Sequence, residues 1–100
     1  MPPFFALSDP TRQQIVELLA RGPLSAGDIA SQFPLSFQGI SQHLRTLREA
    51  RLVRARPVAQ QRIYELDPDG VAELSEWLDR IRSFWSVKLD ALDDQLRKED

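Results

Sequence analysis

Gln38, Gln42 and Arg45 are spaced by four and three residues, so in a helix they share one face. A glutamine amide can pair with adenine N6 and N7, and an arginine guanidinium with guanine O6 and N7. This trio therefore has the chemistry to read base edges. Ser36, Ser41, His43 and Thr46 flank it with donors suited to phosphate oxygens, and Gly39 lies between the two sides of the same helix. Downstream, Arg54, Arg56 and Arg62, with Gln60 and Gln61, add groups able to reach a phosphate backbone or a minor groove. Residues 36–64 hold six arginines against one acid, Glu49, a net of +5, inside a chain whose formal net charge is −2. Positive charge gathered on one stretch is the electrostatic footprint of a polyanion partner, which the overall pI of about 5.4 conceals.

Other chemistries find little support. The chain has no cysteine and one histidine, so disulfides, thiolate sites and His-rich metal sites are excluded; no metal and no cofactor are expected. There is no Gly-rich phosphate loop and no second histidine around which a nucleophilic site could assemble, so the chain is not expected to be an enzyme. Asp93-Asp94 is an acid pair on a solvated helix end. Phe4–Leu7 is too short and lacks the basic flank of a signal peptide, and no apolar run approaches the ~20 residues that span a bilayer. No membrane association is expected, and the absence of cysteine fits a reducing cytoplasm.

The elements that must position these residues follow from local signals. One hundred residues are expected to form a single domain, mostly helical with a small β-hairpin. Asp9-Pro10 starts a helix with an apolar face of Ile15, Val16, Leu18 and Leu19, stopped by Gly22-Pro23. A second helix starts at Ser25, with Asp28 closing a capping box, buries Ile29 and Phe33, and ends at Pro34. Two residues later Ser36 caps a third helix, to about Glu49, whose Phe37, Ile40, Leu44 and Leu47 face inward. Arg48 is expected toward that packed side, paired with an acid. A strand from Leu52-Val53, a tip at Pro57–Gln61 and a strand over Arg62–Leu66 make the hairpin, with Tyr64 anchoring it. Arg12 is expected to be an ion-pair partner within the fold.

Asp67-Pro68 opens a last helix over about residues 69–97, roughly 40 Å at 1.5 Å per residue. Its apolar stripe, including Leu74, Trp77, Leu78, Ile81, Phe84, Trp85, Leu89 and Leu92, is too long for one small domain to cover. A second copy of the chain is the simplest cover, joined by Phe4, Phe5 and Leu7 near the N-terminus. The order helix, helix, tight turn, helix, hairpin, helix is a winged helix–turn–helix, with residues 9–66 as the DNA-binding core and 1–8 and 69–98 as dimerisation segments.

Ala6-Leu7-Ser8-Asp9-Pro10-Thr11-Arg12, Ser41-Gln42-His43-Leu44-Arg45-Thr46-Leu47 and Arg62-Ile63-Tyr64-Glu65-Leu66-Asp67 together resemble the opening, recognition helix and second wing strand of ArsR-type transcriptional repressors. The resemblance covers nearly the whole chain. It implies a cytoplasmic homodimeric repressor that binds an inverted-repeat operator in double-stranded DNA and dimerises through its first and last helices. Metal-sensing members carry Cys-x-Cys where this chain reads Ser25-Ala26-Gly27, and others use histidines in the last helix, which has none here. The chain therefore resembles a non-metal-sensing subgroup, and Phe84-Trp85 followed by Lys88–Leu92 is similar to members often encoded beside START-like (SRPBCC) proteins. Arg51 stands where the family often has glycine, so the recognition helix is expected to end without a left-handed cap; the tip Pro57–Gln61 also lacks glycine.

Three ways of switching remain open. A small apolar effector could sit among Trp77, Phe84, Trp85, Phe4 and Phe5; the protein's own concentration could govern repression; or another protein could compete for its surface. A rival reading is a winged-helix protein-interaction module that uses the long aromatic helix as its docking element. That reading leaves the arginines unexplained.

Overall fold

A computed structural model describes residues 3–98. The elements are α1 (Pro3–Ala6), α2 (Pro10–Leu19), β1 (Leu24–Ser25), α3 (Ala26–Ala30), α4 (Phe37–Glu49), β2 (Val53–Val58), β3 (Gln61–Leu66) and α5 (Pro68–Lys98). Each of the three helices that follow the first begins on a side-chain cap. Asp9 accepts from the amide of Arg12, Ser25 from that of Asp28 at 3.1 Å, and Ser36 from that of Gly39 at 3.0 Å. These bonds satisfy amides that a helix start leaves unpaired. Proline at the first position of α2 and of α5 needs no such partner.

The core gathers Ile15 and Leu19 of α2, Ile29 of α3, Ile40, Leu44 and Leu47 of α4, and Leu52, Val53 and Tyr64 of the hairpin. Burying an aliphatic side chain of this size contributes about 1.5–3 kcal/mol. That packing holds the five-residue α3, which is too short to persist on its own. α3 is shorter than the caps suggest: it ends at Ala30, the chain turns through Phe33, and Phe33 is only half-buried.

The hairpin is longer and tighter than expected. Val58 pairs with Gln61, so the tip is the two residues Ala59 and Gln60, and Pro57 lies within β2. Ala59 takes φ +57°, the sign that two-residue hairpin turns require at their first central position. A third strand, too short for its alternation to be visible, joins the hairpin: Leu24 pairs with Tyr64 and Ser25 with Ile63, giving the antiparallel order β1-β3-β2.

α4 ends on a left-handed residue after all. Arg51 has φ +62°, its amide donates to the Arg48 carbonyl, and the Leu52 amide donates to the Leu47 carbonyl, both at 3.0 Å. This is the Schellman pattern, with buried Leu47 and Leu52 supplying its apolar contact. α5 starts directly on this cap. A Cβ on Gly70 would lie 1.6 Å from the Arg51 carbonyl oxygen, so only glycine permits the approach.

α5 then leaves the domain. Its 31 residues span roughly 46 Å, and the molecule measures 67 × 27 × 24 Å. From Trp77 onward every side chain described on it is exposed. Phe4 of α1 meets Trp77 edge to face, with ring centroids 4.7 Å apart, which ties the N-terminal segment to the base of the long helix.

Candidate nucleic-acid interface

α4 has an inward side fixed by Ile40, Leu44 and Leu47, and this turns Gln38, Gln42 and Arg45 outward, all exposed. Arg45 Nε donates to Glu49 Oε1 one turn on, at 3.2 Å. An exposed pair at this spacing is weak and easily exchanged for a stronger acceptor. Ser36 is exposed at the helix start; Gly39, Ser41 and Thr46 are half-exposed along its flanks.

Phe37 does not join the inward side: it is 56% exposed. Its angle on the helix is right, but it is the first residue of α4, and it lines the cleft beside Ser25–Gly27 rather than joining the core. Arg48 is likewise exposed rather than packed. Ser41, Arg45 and Arg48 follow one another at helical spacing, and all three line a cleft of about 660 Å³ between α4 and the wing. The same cleft takes Phe37 from α4, Ser25–Gly27 from the start of α3, and Gln60, Gln61, Arg62 and Tyr64 from the hairpin. Arg48 and the α3 residues were not singled out as site residues in the sequence, although the Ser41–Arg45–Arg48 spacing was visible there.

His43 is turned toward α2. Its Nδ1 lies 3.3 Å from Arg12 Nη1 and 3.9 Å from Asp9 Oδ2. With arginine as the donor, the neutral ring carries its proton on Nε2, so that Nε2–H is the donor left for another partner. Arg12 is tied into the fold through carbonyls rather than through the expected ion pair: Nε donates to the Ala6 carbonyl at 2.6 Å and Nη2 to that of Phe5 at 3.4 Å. The Arg12 amide bond holds the Asp9 carboxyl below the usual carboxylate range, against an opposing push from partial burial; the positive charge of Arg12 adds to the lowering. This network fixes the recognition helix to the start of α2 and to α1.

The wing divides its arginines between two faces. The register pairs Arg54 with Glu65 and Ala55 with Tyr64, so Arg54, Arg56 and Glu65 share one face while Arg62 and Tyr64 share the other. Arg54 Nε and Arg56 Nε both donate to Glu65 Oε1, at 3.1 and 3.3 Å. Arg62 lies over the Tyr64 ring, 5.9 Å from its centroid, and Tyr64 is 6% exposed, anchoring the hairpin in the core. Arg51 pairs with Glu73 of α5 at 3.4 Å.

A two-helix hairpin, an outward polar helix and an arginine-bearing wing together make a winged helix–turn–helix. Residues 9–55 match the family described as bacterial regulatory protein, arsR family. The chain is 51% identical over 84 residues to the HTH-type transcriptional regulator Rv2034 of Mycobacterium tuberculosis, covering 84% of this chain and 76% of that protein. The chain belongs to the ArsR family. It is also 37% identical over 75 residues to the transcriptional repressor SdpR of Bacillus subtilis, covering 75% of this chain and 83% of that repressor. A solved homodimeric winged helix–turn–helix DNA-binding domain from Mycobacterium bovis superposes with a TM-score of 0.65 at 28% identity, covering 78% of this chain and 72% of the other. This ArsR-family chain is a transcriptional regulator with a DNA-binding winged helix–turn–helix. No helix among the described residues is long and apolar enough to cross a membrane.

Proposed function

We propose that the protein is a homodimeric repressor of its own operon that binds an inverted-repeat operator and does not use the metal sites of its relatives. The observation that carries the reading is the outward row Gln38, Gln42 and Arg45 on a helix held rigidly by a buried inner side. The likeness to a named repressor supports the direction of regulation. The likeness to a homodimeric domain supports the assembly, whose interface on this reading is Phe4, Phe5 and the exposed α5 stripe.

In the complex α4 enters the major groove, where Gln38 and Gln42 address adenines and Arg45 exchanges Glu49 for a guanine. Ser36, Ser41, Thr46 and the Nε2–H of His43 serve the flanking phosphates. Two-fold symmetry places the two recognition helices in successive major grooves, with half-site centres about 34–36 Å apart.

An electrophoretic shift assay with the region upstream of the protein's own gene tests this. The protein is expected to prefer that DNA strongly over random duplex at physiological salt. Gln42→Ala is expected to cost about 1–3 kcal/mol at one base position and to relax preference there alone. Equal affinity for upstream and random DNA would overturn the specific-repressor reading.

A further inference from the structure

Six arginines between residues 36 and 64 suggest six equivalent groups for phosphates, but their side chains are not equivalent. Arg45 is bonded to Glu49, Arg51 to Glu73, and both Arg54 and Arg56 to the single oxygen Glu65 Oε1. Two of these carboxylates lie outside the basic stretch, so a charge count within it misses them. Among the described residues Arg48 and Arg62 have no carboxylate partner, and both line the cleft between α4 and the wing.

We infer that this cleft is the protein's phosphodiester groove: Arg48 on the recognition helix and Arg62 on the wing neutralise the duplex backbone, and Glu65 holds Arg54 and Arg56 away from it. The inference rests on the DNA-binding reading above and assigns its electrostatics to particular residues. Arg62 lies over the buried Tyr64 ring at 5.9 Å, a cation–π approach that leaves its N–H groups available. Gln60 and Gln61 at the wing tip and Ser41 on the helix add neutral donors to the same walls.

Glu65 decides the difference between the two wing faces. Its side chain is only 19% exposed, while those of Arg54 and Arg56 are 54% and 52% exposed. An arginine that left Glu65 for a phosphate would exchange one anion for another and leave a half-buried carboxylate with fewer partners beside the DNA. Such an exchange releases few counterions, whereas a guanidinium with no internal carboxylate brings its full charge to the backbone.

The salt dependence of DNA binding separates these arginines. Affinity of the full chain for one duplex is measured from about 50 to 200 mM salt, and the slope of log affinity on log salt is compared between variants. Arg48→Gln and Arg62→Gln are each expected to flatten the slope by about 1.8, one phosphate contact of about 0.9 being lost from each protomer of the proposed dimer. Arg48→Lys is expected to restore the wild-type slope, since it keeps the charge. Arg54→Gln and Arg56→Gln are expected to leave the slope close to wild type, and Glu65→Gln to steepen it by releasing both. Equal flattening by all four arginine-to-glutamine variants, or no effect of Arg48→Gln, would overturn the assignment while leaving DNA binding intact. A wild-type protein that bound no duplex at any salt would overturn the DNA-binding reading itself, and the assignment with it.

Discussion

Arg51 occupies a left-handed backbone conformation, φ +62°, at the end of the recognition helix. For a residue with a Cβ this costs about 1–2 kcal/mol, while glycine in the same place would lose about 0.5–1 kcal/mol of extra backbone freedom on folding. Arg51→Gly is therefore expected to raise stability by up to about 1 kcal/mol, read as a higher urea midpoint at matched protein concentration. A lower midpoint would mean that the exposed pair with Glu73 outweighs the backbone relief. The absence of glycine at residue 51 pointed away from this cap. The signal that could have corrected it stands in another helix: Gly70 supplies the space that the Arg51 carbonyl needs. Phe37 misleads in a similar way. Its helical angle gives the direction of its side chain, but not whether the core reaches it.

At the scale of elements, the starts of α2, α3, α4 and α5 were legible because Asp9, Ser25, Ser36 and Asp67 stand at their caps with the chemistry caps require. Asp67 Oδ1 accepts from the Asp69 amide at 3.1 Å. The outward trio of α4 was legible for the same local reason, the periodicity of its apolar partners. Strand β1 was not, since two residues carry no period and its pairing with β3 is a long-range event. Nor was the division of the wing into two faces, which depends on register rather than composition. The long stripe of α5 was legible in full, and it leaves Phe84, Trp85, Leu89, Leu92 and Leu96 about half-exposed. An isolated helix with such a stripe is unstable toward association. Sedimentation is expected to give a dimer at micromolar concentration, and Leu89→Glu a monomer with a folded core, because Leu89 is 57% exposed and lies outside the core of its own domain. A wild-type monomer, or a Leu89→Glu dimer of the same affinity, would contradict this account of α5.

The whole molecule separates its tasks along its length. A compact domain of α2, α3, α4 and the sheet fixes one polar helix and one wing, while α5 extends the molecule to 67 Å and carries the apolar surface away from them. In the proposed dimer, pairing two chains through α1 and α5 sets the distance and rotation between two recognition helices. On this account affinity for the operator depends on both half-sites being met at once, on the same face of the duplex. Inserting five base pairs between the half-sites turns one of them by about half a helical turn and tests that dependence directly. The account predicts that affinity for the altered operator falls to that for a single half-site, and that inserting a full turn instead leaves the half-sites on one face but too far apart for a rigid pair. Unchanged affinity after the five-base-pair insertion would contradict the proposed two-fold reader.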